Sequence, residues 1–194
     1  MKALKLLAVS FASAAMLSFS TETKKIIVID AGHGGNDFGA TMNGVSEKDM
    51  VLNIARQIKK ASDKDGTYEV ILTRSDDTST TLTERTEQIN KLNPEMVISL
   101  HINRTPEANT NKSGHEIFIQ KTSESKSLAE KLSKKLGECS IKEENLHILR
   151  NSKSPAVLVE LGYINNIKER EYMNSSDGQR EIAKKFADFI NEQK

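Results

Sequence analysis

Short β-branched runs and amphipathic stripes follow one another along this chain from Lys24 onward, and that alternation limits the fold more than any other feature. Residues 24–30 form an apolar run closed by Gly32 and read as a buried strand. Over residues 46–60, Val51, Leu52, Ile54, Ala55 and Ile58 make one helical stripe, with Ser46 as its natural N-cap. Residues 68–73 read as a second strand, and Thr81 with Glu84 forms a capping-box signature for a helix reaching about Leu92. Residues 96–102 and 115–120 read as the third and fourth strands, separated by a polar loop over 103–114. Leu128, Leu132 and Leu136 mark a further helix, 156–161 another buried strand, and Ile182, Phe186, Phe189 and Ile190 a C-terminal helix. Strands alternating with helices predict a single α/β domain, with a mostly parallel central sheet and helices on both faces.

The first twenty residues belong to a different kind of segment. Lys2 and Lys5 precede an apolar stretch over 6–17, a small-residue exit follows at Ser18 and Ser20, and no acid stands before Glu22. That is the pattern of a secretory signal peptide over residues 1–20, leaving 24–194 as the folded domain. The stretch is too short and too rich in Ser and Ala to span a bilayer, and with no Cys near its exit no lipid anchor is expected. The expected destination is the periplasm, the extracellular space or the cell wall. Loss of Lys2 and Lys5 moves the formal charge from +1 to −1, which leaves no basic field for gripping nucleic acid. The single cysteine, Cys139, excludes an internal disulfide and a Cys-rich zinc site, so any metal must be held by His and carboxylates.

In an open α/β sheet, ligands bind beyond the carboxyl ends of the strands. Three strand ends carry polar residues that a core would not accommodate: Asp30-Ala31-Gly32-His33-Gly34-Gly35, Ser99-Leu100-His101-Ile102-Asn103 and Val159-Glu160-Leu161-Gly162. Glu47 falls in the first turn of the helix that follows His33, where the macrodipole favours a carboxylate. Singly, each has an ordinary explanation: a tight turn, a core histidine, a helix-terminal charge, a buried partner for an arginine. Together they point to a cation, because an acid between Val159 and Leu161 in a buried strand needs a strong partner. Two His, a Glu and an open position make a catalytic zinc shell, and a nearby carboxylate can shuttle a proton. The H-E-x-x-H spacing of helix-borne metalloproteases is absent. Asp37 stands where a dinucleotide fingerprint needs its third glycine, and Ser123 with Lys126 reads as a helix start. Cys139 reads as an incidental thiol, His115 and His147 as local hydrogen-bonding residues.

At these residues the sequence resembles the zinc-dependent N-acetylmuramoyl-L-alanine amidases of the Amidase_3 type. The carrying segments are IVIDAGHGGNDFGA, SEKDMVLNIA, VILTRSDD, LTERTEQIN, MVISLHIN, LHILRNSKSPAVLVELGYINN and IAKKFADFI, in order from Ile26 to about Ile190. The resemblance implies a Zn2+ shell of His33, Glu47 and His101, with Glu160 as the catalytic acid/base and no other cofactor. It implies a catalytic domain over 24–194 that cleaves the amide between N-acetylmuramic acid and L-alanine in peptidoglycan, for wall remodelling or daughter-cell separation. Tyr163 stands where Phe is common. Some members carry an extra helix that blocks the zinc. Only residues 120–146 separate the fourth strand from LHILR here, so an open site is expected. The expected partner is peptidoglycan, met by a monomer without nucleic acid or a stable membrane anchor; the sequence names no protein regulator. Other readings of the same shell are a wall carboxypeptidase, a deacetylase, or an inactive peptidoglycan-binding module.

Overall fold

Side-chain alternation along the strands sorts this chain into two layers of core. The computed structural model describes residues 24–63, 68–137 and 139–193, so the expected signal segment lies outside the described residues. Six strands form the main sheet: β1 (Lys25–Ala31), β4 (Tyr68–Leu72), β5 (Met96–Asn103), β6 (His115–Ile119), β7 (Cys139–Glu143) and β8 (Ala156–Tyr163). A small antiparallel hairpin, β2 (Thr41–Met42) and β3 (Val45–Ser46), leads into the first helix. The helices are α1 (Glu47–Ser62), α2 (Leu82–Leu92), α3 (Ser123–Leu136), α4 (His147–Asn151), α5 (Ile167–Asn174) and α6 (Ser176–Asn191).

The sheet runs in the order β4-β1-β5-β8-β6-β7, and every pairing is parallel except that of β6 with β8. Ile27, Ile29, Ile98, Leu100, Val157 and Val159 pack on one face against α1, α3 and α6, where Phe186 and Phe189 are fully buried. Val28, Val97, Ala156 and Leu158 point to the other face, under Ile89 of α2 and Leu149 of α4. The same period of two sends Asp30, Ser99, His101, Glu160 and Glu116 to this second face. The fold class is thus the one the alternation predicts, with helices on both faces.

Helix starts follow their capping residues. The Ser46 side chain accepts from the Asp49 amide, and Thr81 and Glu84 form the complete reciprocal box. Three features have no counterpart in the sequence reading. Strand β7 sits at the sheet edge with four of its five residues exposed, so it carries no period-two apolar signal. Helix α5 buries only Arg170 and Met173, and α4 is a single short turn. No helix among the described residues is long and apolar enough to cross a membrane.

Candidate metal centre

Strand order puts the centre where it is. β1 leads by way of α1 to β4 on one side, and the chain then returns to β5 on the other, so the connections diverge at the β1–β5 junction. Such a switch point opens a crevice at the carboxyl ends of the strands. His33 follows β1, His101 lies near the end of β5, and Glu47 opens α1 directly above them.

The structure brings His33, Glu47 and His101 together, with one ligand atom of each within 4.8 Å of the others. Glu47 is the hub. Its Oε1 lies 2.9 Å from His33 Nε2 and 2.9 Å from His101 Nδ1, and it accepts the Ile102 amide at 2.9 Å. Its Oε2 accepts the Ala40 amide at 2.8 Å. The two imidazoles meet edge to face, with centroids 4.9 Å apart. Asp37 Oδ2 stands 2.8 Å from His33 Nδ1 and so fixes the ring from behind.

Burial acts to raise the Glu47 pKa, yet the two imidazoles outweigh it and hold the carboxylate well below the usual range. Burial likewise opposes charging of His33, but Glu47 and Asp37 hold its imidazolium up to about 9. A metal bound between these groups would take the place of the proton that Glu47 and Asp37 keep on His33, so its binding would release a proton. Ligands about 2.0–2.2 Å from a shared centre stand about 3.3 Å apart in a tetrahedral shell, within the observed spread. The donor set fits a divalent cation that accepts nitrogen and oxygen ligands.

Glu160 is not part of this trio. It sits on β8 in register with His101 on one side and Glu116 on the other, all three on the same sheet face. Its Oε2 is buried with no hydrogen-bond partner among the described residues. Burial pushes the carboxyl up to about 7; His101 opposes the shift, and the charges of Glu47 and Glu116 add to it. A carboxyl of that kind can both take and return a proton near neutrality.

Two glycines make room for the trio. A Cβ on Gly32 would lie 2.4 Å from His101 Cε1 and 2.6 Å from Nε2. A Cβ on Gly39, at φ +62°, would lie 2.5 Å from Glu47 Oε2. Gly32→Ala is therefore expected to push the His101 ring away, weakening the binding of a divalent cation at least about tenfold while costing about 1–3 kcal/mol of stability. Titration of the variant with zinc against a chromophoric chelator checks this; an unchanged dissociation constant refutes it.

A groove of about 380 Å3 opens beside the trio, lined by His33, Asp37, Leu82, His101, His147 and Leu158. His147 is thus a groove residue, which its mixed local sequence did not reveal. Helix α3, within the 120–146 interval, packs Leu128, Leu132 and Leu136 under the opposite face of the sheet. Cys139 opens β7, where burial pushes its thiol up to about 11, and His115 pairs beside it in the β6–β7 register. The sequence reading also missed a buried network behind the trio: Asp30, Arg85, Arg74, Thr73 and Ser99. A signal existed in Arg85, which stands four residues before Ile89 and so shares the apolar face of α2.

A mostly parallel sheet with a His–Glu–His cluster and a separate buried carboxylate at its switch point is an α/β protein with a candidate metal centre. The chain belongs to the N-acetylmuramoyl-L-alanine amidase family, whose model matches residues 27–192. It is 33% identical over 181 residues to the endolysin of Bacillus phage SPP1, covering 87% of this chain and 65% of that protein. It is 33% identical over 152 residues to the N-acetylmuramoyl-L-alanine amidase LytC of Bacillus subtilis, covering 74% of this chain and 30% of LytC. It thus spans less than two thirds of either relative. The catalytic domain of the Paenibacillus polymyxa amidase CwlV superposes with a TM-score of 0.81 at 34% identity, covering 87% of this chain and 97% of that domain.

Proposed function

We propose that this chain is a zinc-dependent peptidoglycan amidase that cleaves the bond between the lactyl group of N-acetylmuramic acid and L-alanine. The observation that supports this best is the meeting of His33, Glu47 and His101 at one end of the sheet, with Glu160 one strand away, its Oε2 without a hydrogen-bond partner among the described residues, in a chain of this family. His33, Glu47 and His101 would hold the metal. A bound Zn2+ supplies Lewis-acid polarisation of the scissile carbonyl and acidifies water beside it. Glu47 acts as a ligand fixed by two backbone amides, and Asp37 sets the tilt and tautomer of His33. Glu160 takes a proton from the attacking water on its unpartnered oxygen and returns it to the departing alanine nitrogen. Its raised pKa suits both transfers.

The basic and apolar segment at residues 1–20 supports export, to the periplasm or the outer wall. With no excess of positive charge on the remaining chain, recognition of the wall rests on the groove and the metal. We take the chain to act as a monomer over residues 24–194.

Purified sacculi digested with the zinc-loaded protein test the reading. Mass spectrometry is expected to find intact stem peptides with a free alanine amine and glycan strands without peptide. Treatment with a zinc chelator is expected to stop release, and added zinc to restore it. Released acetate identifies a deacetylase instead, shortened stem peptides a carboxypeptidase, and binding without release a module that only binds the wall.

A further inference from the structure

Two guanidiniums lie behind the trio, and none of their hydrogen bonds goes to a side chain of the trio. Arg74 and Arg85 are each only 4% exposed, and both direct their donors at main-chain carbonyls next to the trio. Arg74 donates from Nε to Ala31 O at 3.0 Å, from Nη1 to Asp76 O at 3.0 Å, and from Nη2 to both Gly32 O and Lys48 O at 2.8 Å. Among the described residues its hydrogen-bond acceptors are all carbonyls, with no carboxylate, so its burial is not explained by a hydrogen-bonded ion pair. Gly32 precedes His33 and Lys48 follows Glu47, so one nitrogen bridges the peptides beside two of the three trio residues.

Arg85 completes the connection. Its Nη1 donates to Asp30 Oδ1 at 2.7 Å and Ala31 O at 2.8 Å, and its Nη2 donates to His33 O at 2.8 Å. Asp30 in turn accepts from Thr73 Oγ1 at 2.7 Å and from Ser99 Oγ at 2.6 Å. Ser99 stands two residues before His101 on β5, on the same sheet face. His33 itself has a left-handed backbone, φ 62°, a region that a residue with a Cβ rarely occupies without outside support. Its carbonyl is the one Arg85 holds.

We infer that Arg74 and Arg85 are positioning residues for the metal: Arg74 sets the His33 segment against the helix turn carrying Glu47, and Arg85, through Asp30 and Ser99, sets it against the strand carrying His101. The inference rests on the reading that His33, Glu47 and His101 hold a metal. The planar five-donor fork explains why arginine stands at both places. A lysine ammonium keeps the charge but, as a single point with three donors on a flexible stem, cannot reproduce the bonds of Arg74 to carbonyls on three segments, nor those of Arg85 to the Asp30 carboxylate and the Ala31 and His33 carbonyls together.

The test compares Arg74→Lys and Arg85→Lys with Phe186→Leu, a core change on the opposite face of the sheet. Zinc dissociation constants are measured by chelator competition on each folded protein, alongside melting temperatures and the visible d–d spectrum of the Co2+ form. Both arginine variants are expected to bind zinc about 10–100-fold more weakly, with an altered Co2+ spectrum. Phe186→Leu is expected to melt earlier with an unchanged zinc constant. Arginine variants whose zinc constant stays within about twofold of the parent overturn the inference, whatever their melting temperature. Should Arg85→Lys fail to fold, the double change Asp30→Asn with Arg85→Met removes both charges of the buried pair at similar volume and is read the same way. A parent that binds no zinc overturns the metal reading and the clamp together; a parent that binds zinc no better than its arginine variants overturns the clamp alone.

Discussion

Glu160→Gln is expected to cut turnover on purified sacculi by about two to four orders of magnitude while leaving zinc content at the parent level. The amide keeps the shape of the carboxyl but cannot accept a proton from water or return one to an alanine nitrogen. Glu160 stands apart from the His33–Glu47–His101 cluster, so its loss removes no ligand. Its Oε2 has no hydrogen-bond partner among the described residues, so folding does not depend on a bond that the substitution breaks. Melting temperature and metal analysis should therefore match the parent while the rate collapses. That separation is the diagnostic. A variant within about tenfold of parental turnover removes Glu160 from the proton transfers.

His101→Ala is expected to abolish stoichiometric zinc and bring hydrolysis to background, and His33→Ala to do the same. Each ring supplies one of the two nitrogens in the cluster, and the one remaining imidazole with Glu47 offers too few ligands for a tetrahedral ion. Zinc at about a thousand times its dissociation constant stabilises a folded protein by about 4 kcal/mol. The parent should show that gain in a zinc-dependent melting curve, and neither variant should show any of it. Metal analysis after gel filtration gives the second readout. Parental zinc content in either variant refutes the shell.

The fold and the centre were legible in the sequence to different depths. Strand β1 carries a β-branched run, β5 and β8 carry short apolar runs, and α1 and α2 announce themselves through Ser46 and Thr81, so local rules were enough for them. Edge strand β7 and helix α5 bury too little apolar surface to write a period into the chain, and neither was visible. His33, Glu47, His101 and Glu160 could be selected because each stands at a strand end or helix start where a core has no use for it. His147 could not, because its neighbours Leu146 and Ile148 give no hint that its ring lines the same groove as His101.

What the sequence by itself determined is the layered α/β plan and the supply of ligands, since both are written in local periods of two and 3.6 and in the placing of His, Glu and Gly. What only the tertiary structure decided is which side chains share a face, and how they are held. Strand order brings β1 beside β5 and β5 beside β8, which sets Glu160 next to His101, residues far apart in the chain. The same packing turns Arg74, after β4, and Arg85, on the apolar face of α2, into buried guanidiniums aimed at Ala31, Gly32 and His33. Long-range contacts of this kind leave no local periodicity, because hydrogen bonds between distant segments place no demand on the spacing of either segment's neighbours.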